Sequence, residues 1–401
     1  MKTSHRVTLS VAIAGLVGGT AAAEQPTTGP IAVYWVSAAT TSGMTGMGGP
    51  GGPGAGGMGA APPQRRPGLG SMMGMAFGGG GIPGMPGRGG PQPGAANHSL
   101  TLQLGSTQRA AGEPQAAHLP PPGLGAGDSL PLVTPRVAPP EPAEPGEAPR
   151  MTQRPRGRML IYWGCGEHAA PPIVIDFSKI GPNMPVPNIP FIAANPGRPP
   201  SPGRYATYGE WPNERARSAV PPEGSLVGAH TVRGNYSPEI RFSLGTTQDF
   251  LAPLNITDTS PTPGGGAHVA WEPVAGATGY YAWMIGAQER GETVVMWSSG
   301  SAASMMGALT DYLPPYEVRR LIAGHMVMPP QTTECVVPAE VVKASPFGML
   351  SMIAYGPEND FADPPRPADP KAVWNIRWTV KVRRKSTTGT LLGMPAGARG
   401  F

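Results

Sequence analysis

The most regular pattern of apolar and polar positions lies between Val373 and Arg383. One face of this stretch takes Trp374, Ile376, Trp378, Val380 and Val382, and the other takes Asn375, Arg377, Thr379, Lys381 and Arg383. A strict period of two over this length predicts a half-buried antiparallel β-strand. Leu100, Leu102 and Leu104 alternate in the same way with Thr101 and Gln103, which predicts a second strand.

Shorter apolar runs of strand length recur through the chain. They lie at 29–39, 129–133, 158–166, 173–177, 225–232 and 239–244. These runs contain β-branched and aromatic residues and are separated by Gly and Pro, which favours strands. A helix is predicted only between Tyr316 and His325, with Gly324 near its end. The pattern therefore predicts an all-β protein made of antiparallel β-sandwich domains.

The composition narrows the fold class further. Gly (59) and Pro (53) supply 112 of the 401 residues, more than twice the average share of about 12%. Both residues are unfavourable inside helices, so a helical bundle and a coiled coil are excluded. One large α/β enzyme domain is also disfavoured, because it would need several uninterrupted helical stretches.

A Gly/Pro/Met-rich segment interrupts the strand pattern at 41–96. It has no periodicity of two or 3.6, and its Gly content makes ordering costly, so we expect it to be disordered. The remaining boundaries follow from similar shifts in composition. We expect a signal peptide at 1–23, an N-terminal strand at 24–40, a short β-region at 97–136, a Pro-rich linker at 137–157, a β-rich domain at 158–260, a β-sandwich at 265–388 and a flexible tail at 389–401.

Two short sequence pairs suggest an internal repeat. Tyr34-Trp35 recurs as Tyr162-Trp163, and residues 102–108 resemble residues 242–248. A duplicated β-unit would explain both pairs. Coincidence would explain them equally, because strands and turns favour these residue types.

The N-terminus has the features of a secretory signal peptide. Lys2 and Arg6 precede an apolar run from Val7 to Val17, and small residues end at Ala23, where we place cleavage. The alternative is a membrane anchor, but the run is shorter than the ~20 residues that a span requires. No later stretch is long and apolar enough to cross a bilayer. The expected location is therefore periplasmic or secreted.

Cys165 and Cys335 are the only cysteines, and an even pair in an exported protein predicts a disulfide. Two alternatives use Cys165 with His168. As a Cys-x-x-His pair they could bind zinc or copper, with Cys335 as a third ligand. They could also form a Cys-His nucleophile, although the sequence supplies no third group to orient the histidine.

Closely spaced methionines raise a second metal question. Thioethers suit soft Cu(I), and candidate ligands occur in two clusters, formed by Met44, Met47, Met72, Met73 and Met75. No histidine lies between Met44 and Met85, and the alternative is a low-complexity tether without a cofactor.

Basic residues concentrate near the C-terminus. Residues 370–401 contain seven basic and no acidic side chains, of which five are candidates for binding an anionic envelope surface: Arg377, Lys381, Arg383, Arg384 and Lys385. The alternative is a solvated strand face followed by a frayed tail. Without Lys2 and Arg6 the chain has 28 basic and 25 acidic residues, a surplus too small to predict nucleic-acid binding.

The sequence of residues 267–283 predicts a strand, a turn and a second strand. Trp271 ends the first strand, Gly276 and Ala277 form the turn, and Tyr280 starts the second strand. This segment resembles the second and third strands of fibronectin type III modules, and residues 348–357 resemble a later strand. The stretch between the two matches is long, and Met352 stands where such modules often have an aromatic residue. The resemblance implies a β-sandwich that serves as an interaction module.

No familiar catalytic motif is present. The sequence lacks a Gly-x-Ser-x-Gly elbow, a Walker loop, a His-Glu-x-x-His pair and a Cys-x-x-Cys pair. We therefore expect a non-catalytic envelope or extracellular protein, either binding or structural, whose C-terminal sandwich contacts an envelope component, a polysaccharide or a protein. Two alternatives remain: a periplasmic copper-binding protein, and an enzyme acting on an envelope polymer.

Overall fold

The computed structural model describes residues 29–44, 96–135, 157–179, 193–216, 218–288, 292–303, 307–369 and 371–393. This part of the chain is mostly β, which confirms the predicted fold class. Its strands are β1 (Ala32–Gly43), β2 (Asn97–Ser106), β3 (Ala116–Leu119), β4 (Leu130–Pro131), β5 (Arg158–Trp163), β6 (Ile173–Asp176), β7 (Thr207–Trp211), β8 (Gly228–Gly234), β9 (Ile240–Leu244), β10 (Ile256–Asp258), β11 (Ala267–Trp271), β12 (Gly279–Ala287), β13 (Thr293–Ser298), β14 (Glu334–Val337), β15 (Gly348–Asp363) and β16 (Trp378–Leu392). Its α-helices are α1 (Pro315–Ala323) and α2 (Ala339–Ala344).

A nine-stranded sheet in the order β6-β5-β13-β12-β15-β16-β1-β2-β7 forms the centre of the fold. Within it β1 pairs in parallel with β16, and β5 pairs in parallel with β13. The other pairs of this sheet are antiparallel. The sheet takes strands from four of the segments expected from the sequence: 24–40, 97–136, 158–260 and 265–388.

The middle of this sheet belongs to a two-sheet sandwich. Strand β11 lies in a separate three-stranded sheet, β10-β11-β14, and a turn at Gly276 leads to β12 in the nine-stranded sheet. Gly276 has φ +78°, a conformation that favours glycine. Residues 267–283 thus form the strand, turn and strand that the resemblance implies, and residues 348–357 lie in β15, which pairs with β12. The core between the two sheets includes Val269, Trp271, Tyr280, Met284, Val337, Leu350 and Met352.

Strands from the N-terminal half extend the sandwich at both edges. The hairpin β12–β13 is followed across the sheet by β5, and the hairpin β15–β16 is followed by β1. On each side of the β12–β15 pair, an antiparallel hairpin is therefore followed by a strand that pairs with it in parallel. Tyr34-Trp35 lies in β1 and Tyr162-Trp163 lies in β5, the two strands that each pair in parallel with one of these hairpins. The similar segments 102–108 and 242–248 instead begin in different sheets, in β2 and β9. Because each added strand pairs an edge that would otherwise be open, neither β13 nor β16 is an edge strand.

A four-stranded sheet, β4-β3-β8-β9, covers β1, β2 and the start of β16. Leu100, Leu102 and Leu104 of β2 are buried, as their alternation predicts. They pack in a core that also contains Tyr34, Val36, Leu130, Val232, Ile240, Leu244, Val380 and Val382.

Helix α1 lies on the face of the nine-stranded sheet that is opposite to the three-stranded and four-stranded sheets. Val318 and Leu321 of α1 pack with Tyr281, Ile353 and Tyr355. This helix agrees with the sequence prediction, and Gly324 follows its last residue. Helix α2 was not predicted, because six residues are too few to show a helical period and the sequence includes two adjacent β-branched valines.

Three predicted boundaries are corrected by the structure. Strand β1 runs to Gly43, which is three residues into the segment expected to be disordered. Strand β16 begins at Trp378 rather than at Val373, which is 49% exposed, and it continues to Leu392. The sequence pattern hid this continuation because polar side chains fill the buried positions: Ser386 Oγ accepts from the backbone N–H of Leu254.

Several predictions fall on residues outside the described ranges. They include the signal peptide at 1–23, most of the Gly/Pro/Met-rich segment, nearly all of the Pro-rich linker, and the last residues of the tail. Within the described ranges, no helix has the length and apolar character needed to cross a membrane.

Candidate functional site

A cleft of about 780 Å³ lies where β15 and β16 meet the loop that connects them. The register pairs Asp360 with Lys381 and Asp363 with Trp378, so the ends of both strands contribute side chains. Trp35 of β1 and Arg241 of β9 complete the wall from other parts of the chain. The remaining lining residues are Phe361, Ala362, Pro365, Arg366, Trp374, Thr379 and Val380.

The loop that borders the cleft is anchored at its base. Arg377 donates its backbone N–H to the carbonyl of Asp363 (2.7 Å), and its guanidinium forms an ion pair with the same residue. Further out, Trp374 Nε1 donates to the carbonyl of Pro364 over 2.9 Å. The Arg366 guanidinium lies 5.9 Å from the centre of the Trp374 ring. These contacts fix the orientation of a half-buried indole at the cleft.

The charged side chains of the wall are largely paired. Lys381 Nζ contacts Glu358 and Asp360, each over 2.8 Å. Burial disfavours the Lys381 ammonium, but these carboxylates outweigh it and raise the pKa of Lys381. Arg241 is paired with Glu239 outside the cleft.

The lining combines aromatic rings with charged side chains. Among its described residues are three tryptophans, Trp35, Trp374 and Trp378. Its two carboxylates, Asp360 and Asp363, each face a cation. Apolar walls with a few charged groups are typical of ligand sites.

The prediction of an exposed basic surface is wrong for most of the five residues, because their side chains are largely buried. Arg383 is only 6% exposed, and its guanidinium lies between two rings, 4.8 Å from the centre of Trp35 and 4.4 Å from that of Tyr312. Its Nε donates to Ser37 Oγ over 2.7 Å. Strand alternation placed Arg383 opposite the valines, but a second layer covers this face as well.

Three cations on one face of β16, Lys381, Arg383 and Lys385, contact the rings of Trp35 and Tyr312 in turn. Lys381 Nζ lies 5.7 Å from the Trp35 ring, and Lys385 Nζ lies 4.5 Å from the Tyr312 ring. Together with Arg383 they form a ladder of cation–π contacts, which supports buried cations without a carboxylate at every step. Burial lowers the pKa of Lys385 to about 8.

The other two basic candidates have different environments. Arg384 faces the opposite side of β16, where it is 3% exposed and donates to the carbonyl of Thr247 and to Asn359 Oδ1. Only Arg377 is well exposed, and it is paired with Asp363. The five basic residues therefore do not form a common anionic-binding surface.

The predicted disulfide is present. Cys165 and Cys335 are bonded, with 5.3 Å between their Cα atoms, and they join the loop after β5 to β14 in the three-stranded sheet. Gly166 N–H donates to the carbonyl of Val336 beside this bond. The metal and nucleophile hypotheses for Cys165 are wrong, because its sulfur is bonded to another sulfur. His168 instead contacts Glu340 over 3.1 Å.

The methionine hypothesis falls mostly outside the described residues. Met44 is described and is 39% exposed, whereas Met47, Met72, Met73 and Met75 are not described. Across the described ranges, no group of three or more His, Cys, Asp and Glu side chains is arranged to hold a metal ion.

Sequence reasoning missed a buried histidine pair. His118 of β3 and His230 of β8 are hydrogen-bonded to each other and, through His118, to Tyr34 of β1. The two histidines are 112 residues apart in the chain, so no local motif could have paired them.

Comparison with protein-family models, with curated proteins and with solved structures finds no match for this chain.

Proposed function

We propose that the protein is an exported, non-catalytic binding protein of the cell envelope or extracellular space, and that it binds its ligand in the cleft between β15, β16 and their connecting loop. The observation that carries this proposal is the half-buried Trp374 in a cleft that the buried Trp35 and Trp378 also line, with a charged rim. Loops at the end of a rigid β-sandwich are common positions for binding sites.

Export is supported by the N-terminal sequence and by the disulfide. Lys2, Arg6, the apolar run and the small residues ending at Ala23 have the order found in signal peptides. A disulfide persists in oxidising compartments. The mature protein recovered from the exported fraction should therefore begin at Glu24, which N-terminal sequencing would test. A first residue of Met1 would contradict cleavage.

The binding proposal is tested with libraries of immobilised saccharides and peptides. The exported protein and its Trp374→Ala variant are applied in parallel, with circular dichroism to check that the variant is folded. We expect at least one ligand that the wild-type protein retains and the variant loses. If every ligand that binds does so equally well with the variant, the cleft is not the binding site.

A further inference from the structure

Arg366 differs from the other basic residues that line the cleft in having no acidic partner. The other two, Arg241 and Lys381, each contact a carboxylate, as does Arg377 at the base of the loop. Within the described ranges Arg366 makes neither an ion pair nor a hydrogen bond, and its guanidinium lies over the Trp374 ring. The group that the cleft leaves unneutralised is therefore a cation with a planar array of donors.

Trp374 supplies a flat apolar ring over which this cation lies, 5.9 Å from the ring centre. Its indole N–H is already used by the carbonyl of Pro364, so the edge of the ring is anchored and the ring orientation is set. The face of an indole packs well against the C–H groups of a pyranose ring. The nearby rim adds polar groups for hydroxyls, since the Asp360 side chain is 67% exposed.

We propose that the ligand of this cleft is a carboxylate-bearing saccharide, whose carboxylate pairs with Arg366 while a sugar ring stacks on Trp374. The inference rests on the proposed function, since it names the ligand class of the same cleft. A guanidinium matches a carboxylate with two parallel hydrogen bonds. The cleft volume of about 780 Å³ lies within the usual range of roughly 300–1,000 Å³ for small-ligand sites, which suits a short oligosaccharide.

Isothermal titration calorimetry with two matched probes tests this charge dependence. Trigalacturonate carries free carboxylates, and its methyl ester has the same rings without the charges. We expect the wild-type protein to bind trigalacturonate at least about tenfold more tightly than the ester, since hydrogen bonds between charged groups are the stronger ones. Arg366→Gln should reduce trigalacturonate binding to the level of the ester. Arg319→Gln, a change at an exposed arginine of α1 outside the cleft lining, should leave the affinity unchanged.

The outcomes separate this inference from the proposed function. Equal affinity for acid and ester, or unchanged binding by Arg366→Gln, would overturn the acidic-saccharide proposal. If the binding that remains is still lost in Trp374→Ala, the cleft keeps its role as a binding site. Failure of both probes to bind would overturn the acidic-saccharide proposal, whereas the proposed function would still be decided by the Trp374-dependent ligands of the library experiment.

Discussion

His118 and His230 are neighbours in the core between the four-stranded sheet and the nine-stranded sheet, with His118 Nε2 3.2 Å from His230 Nδ1. The outer contacts of the pair determine where the protons lie. His230 Nε2 is 2.7 Å from the carbonyl of Leu226, which can only accept, so Nε2 carries the proton. In the neutral ring Nδ1 then accepts from His118 Nε2, and His118 Nδ1 accepts from the Tyr34 hydroxyl over 3.0 Å.

This arrangement satisfies two neutral histidines and makes a charged one unfavourable. Burial lowers the pKa of His118 well below its usual value, and the neighbouring His230 lowers it further. Burial likewise lowers the pKa of His230, partly offset by its hydrogen bond to Leu226. Tyr34 is a further titratable group in contact with the pair, through its hydrogen bond to His118.

Stability should therefore fall in acid. Because both folded-state pKa values are lowered, the unfolded chain binds more protons below about pH 6.5. The contribution of the pair is complete above that pH and decreases as the pH falls, by up to about 1.4 kcal/mol per pH unit for each histidine. Urea unfolding between pH 7.5 and pH 5 measures this slope.

Two variants identify the source of the slope. His118→Phe should make the acid-side slope shallower, whatever it does to stability at pH 7.5. His268 is the matched control, because hydrogen bonds to Asp258 and Glu334 raise its pKa. Its contribution is present below about pH 6.5 and decreases as the pH rises, so His268→Asn should leave the loss of stability in acid in place. An unchanged slope in His118→Phe would contradict the assignment.

The ladder along β16 predicts unequal effects for two arginines. Arg383→Ala removes a buried guanidinium from between Trp35 and Tyr312 and should lower the free energy of unfolding by about 2–4 kcal/mol. Arg377→Ala removes an exposed ion pair and should cost at most about 1 kcal/mol. Chemical denaturation measures both. A loss for Arg383→Ala as small as the loss for Arg377→Ala would show that the face of β16 that carries Arg383 is not packed.

Loss of the disulfide should cost stability without changing the fold class. The bond closes a sequence separation of 170 residues, for which the loop-entropy model gives about 5 kcal/mol. The Cys165→Ala, Cys335→Ala double variant should melt at a correspondingly lower temperature. The denatured, unreduced wild-type protein should contain no titratable thiol, and finding two thiols would contradict the bond.

The position of the Gly/Pro/Met-rich segment predicts that it can be shortened. Strands β1 and β2 form an antiparallel pair that ends at Thr41 and Asn97, so the chain between them begins and ends at neighbouring points. Deleting 45–95 joins Met44 to Ala96 and leaves a four-residue connection. The melting temperature should change by less than about 3 °C, which corresponds to about 1 kcal/mol or less. A large decrease would show that the segment packs on the sheets.

A parallel metal measurement tests the copper alternative with the same deletion. Cu(I) binding by the full chain that disappears in the deleted protein would assign the metal to the segment containing Met47, Met72, Met73 and Met75. Equal Cu(I) content in the two proteins would contradict that assignment.

Local sequence patterns determined the fold class and many of its elements. The alternation of Leu100, Leu102 and Leu104 identified a strand with one buried face, and residues 316–325 identified the main helix. Two cysteines in a chain expected to be exported were enough to predict their bond. Side-chain period, local propensity and cysteine count act over short distances or need no geometry, which is why they can be read without a structure.

Tertiary structure alone decided what covers each face and which distant groups meet. Alternation placed Arg383 opposite the valines of β16, but only the packing of Trp35 and Tyr312 showed that both faces are buried. The cleft likewise joins side chains from β1, β9 and the β15–β16 loop. Sequence periodicity specifies the direction of a side chain relative to its own strand, whereas its environment depends on strand pairing and layer packing between residues far apart in the chain.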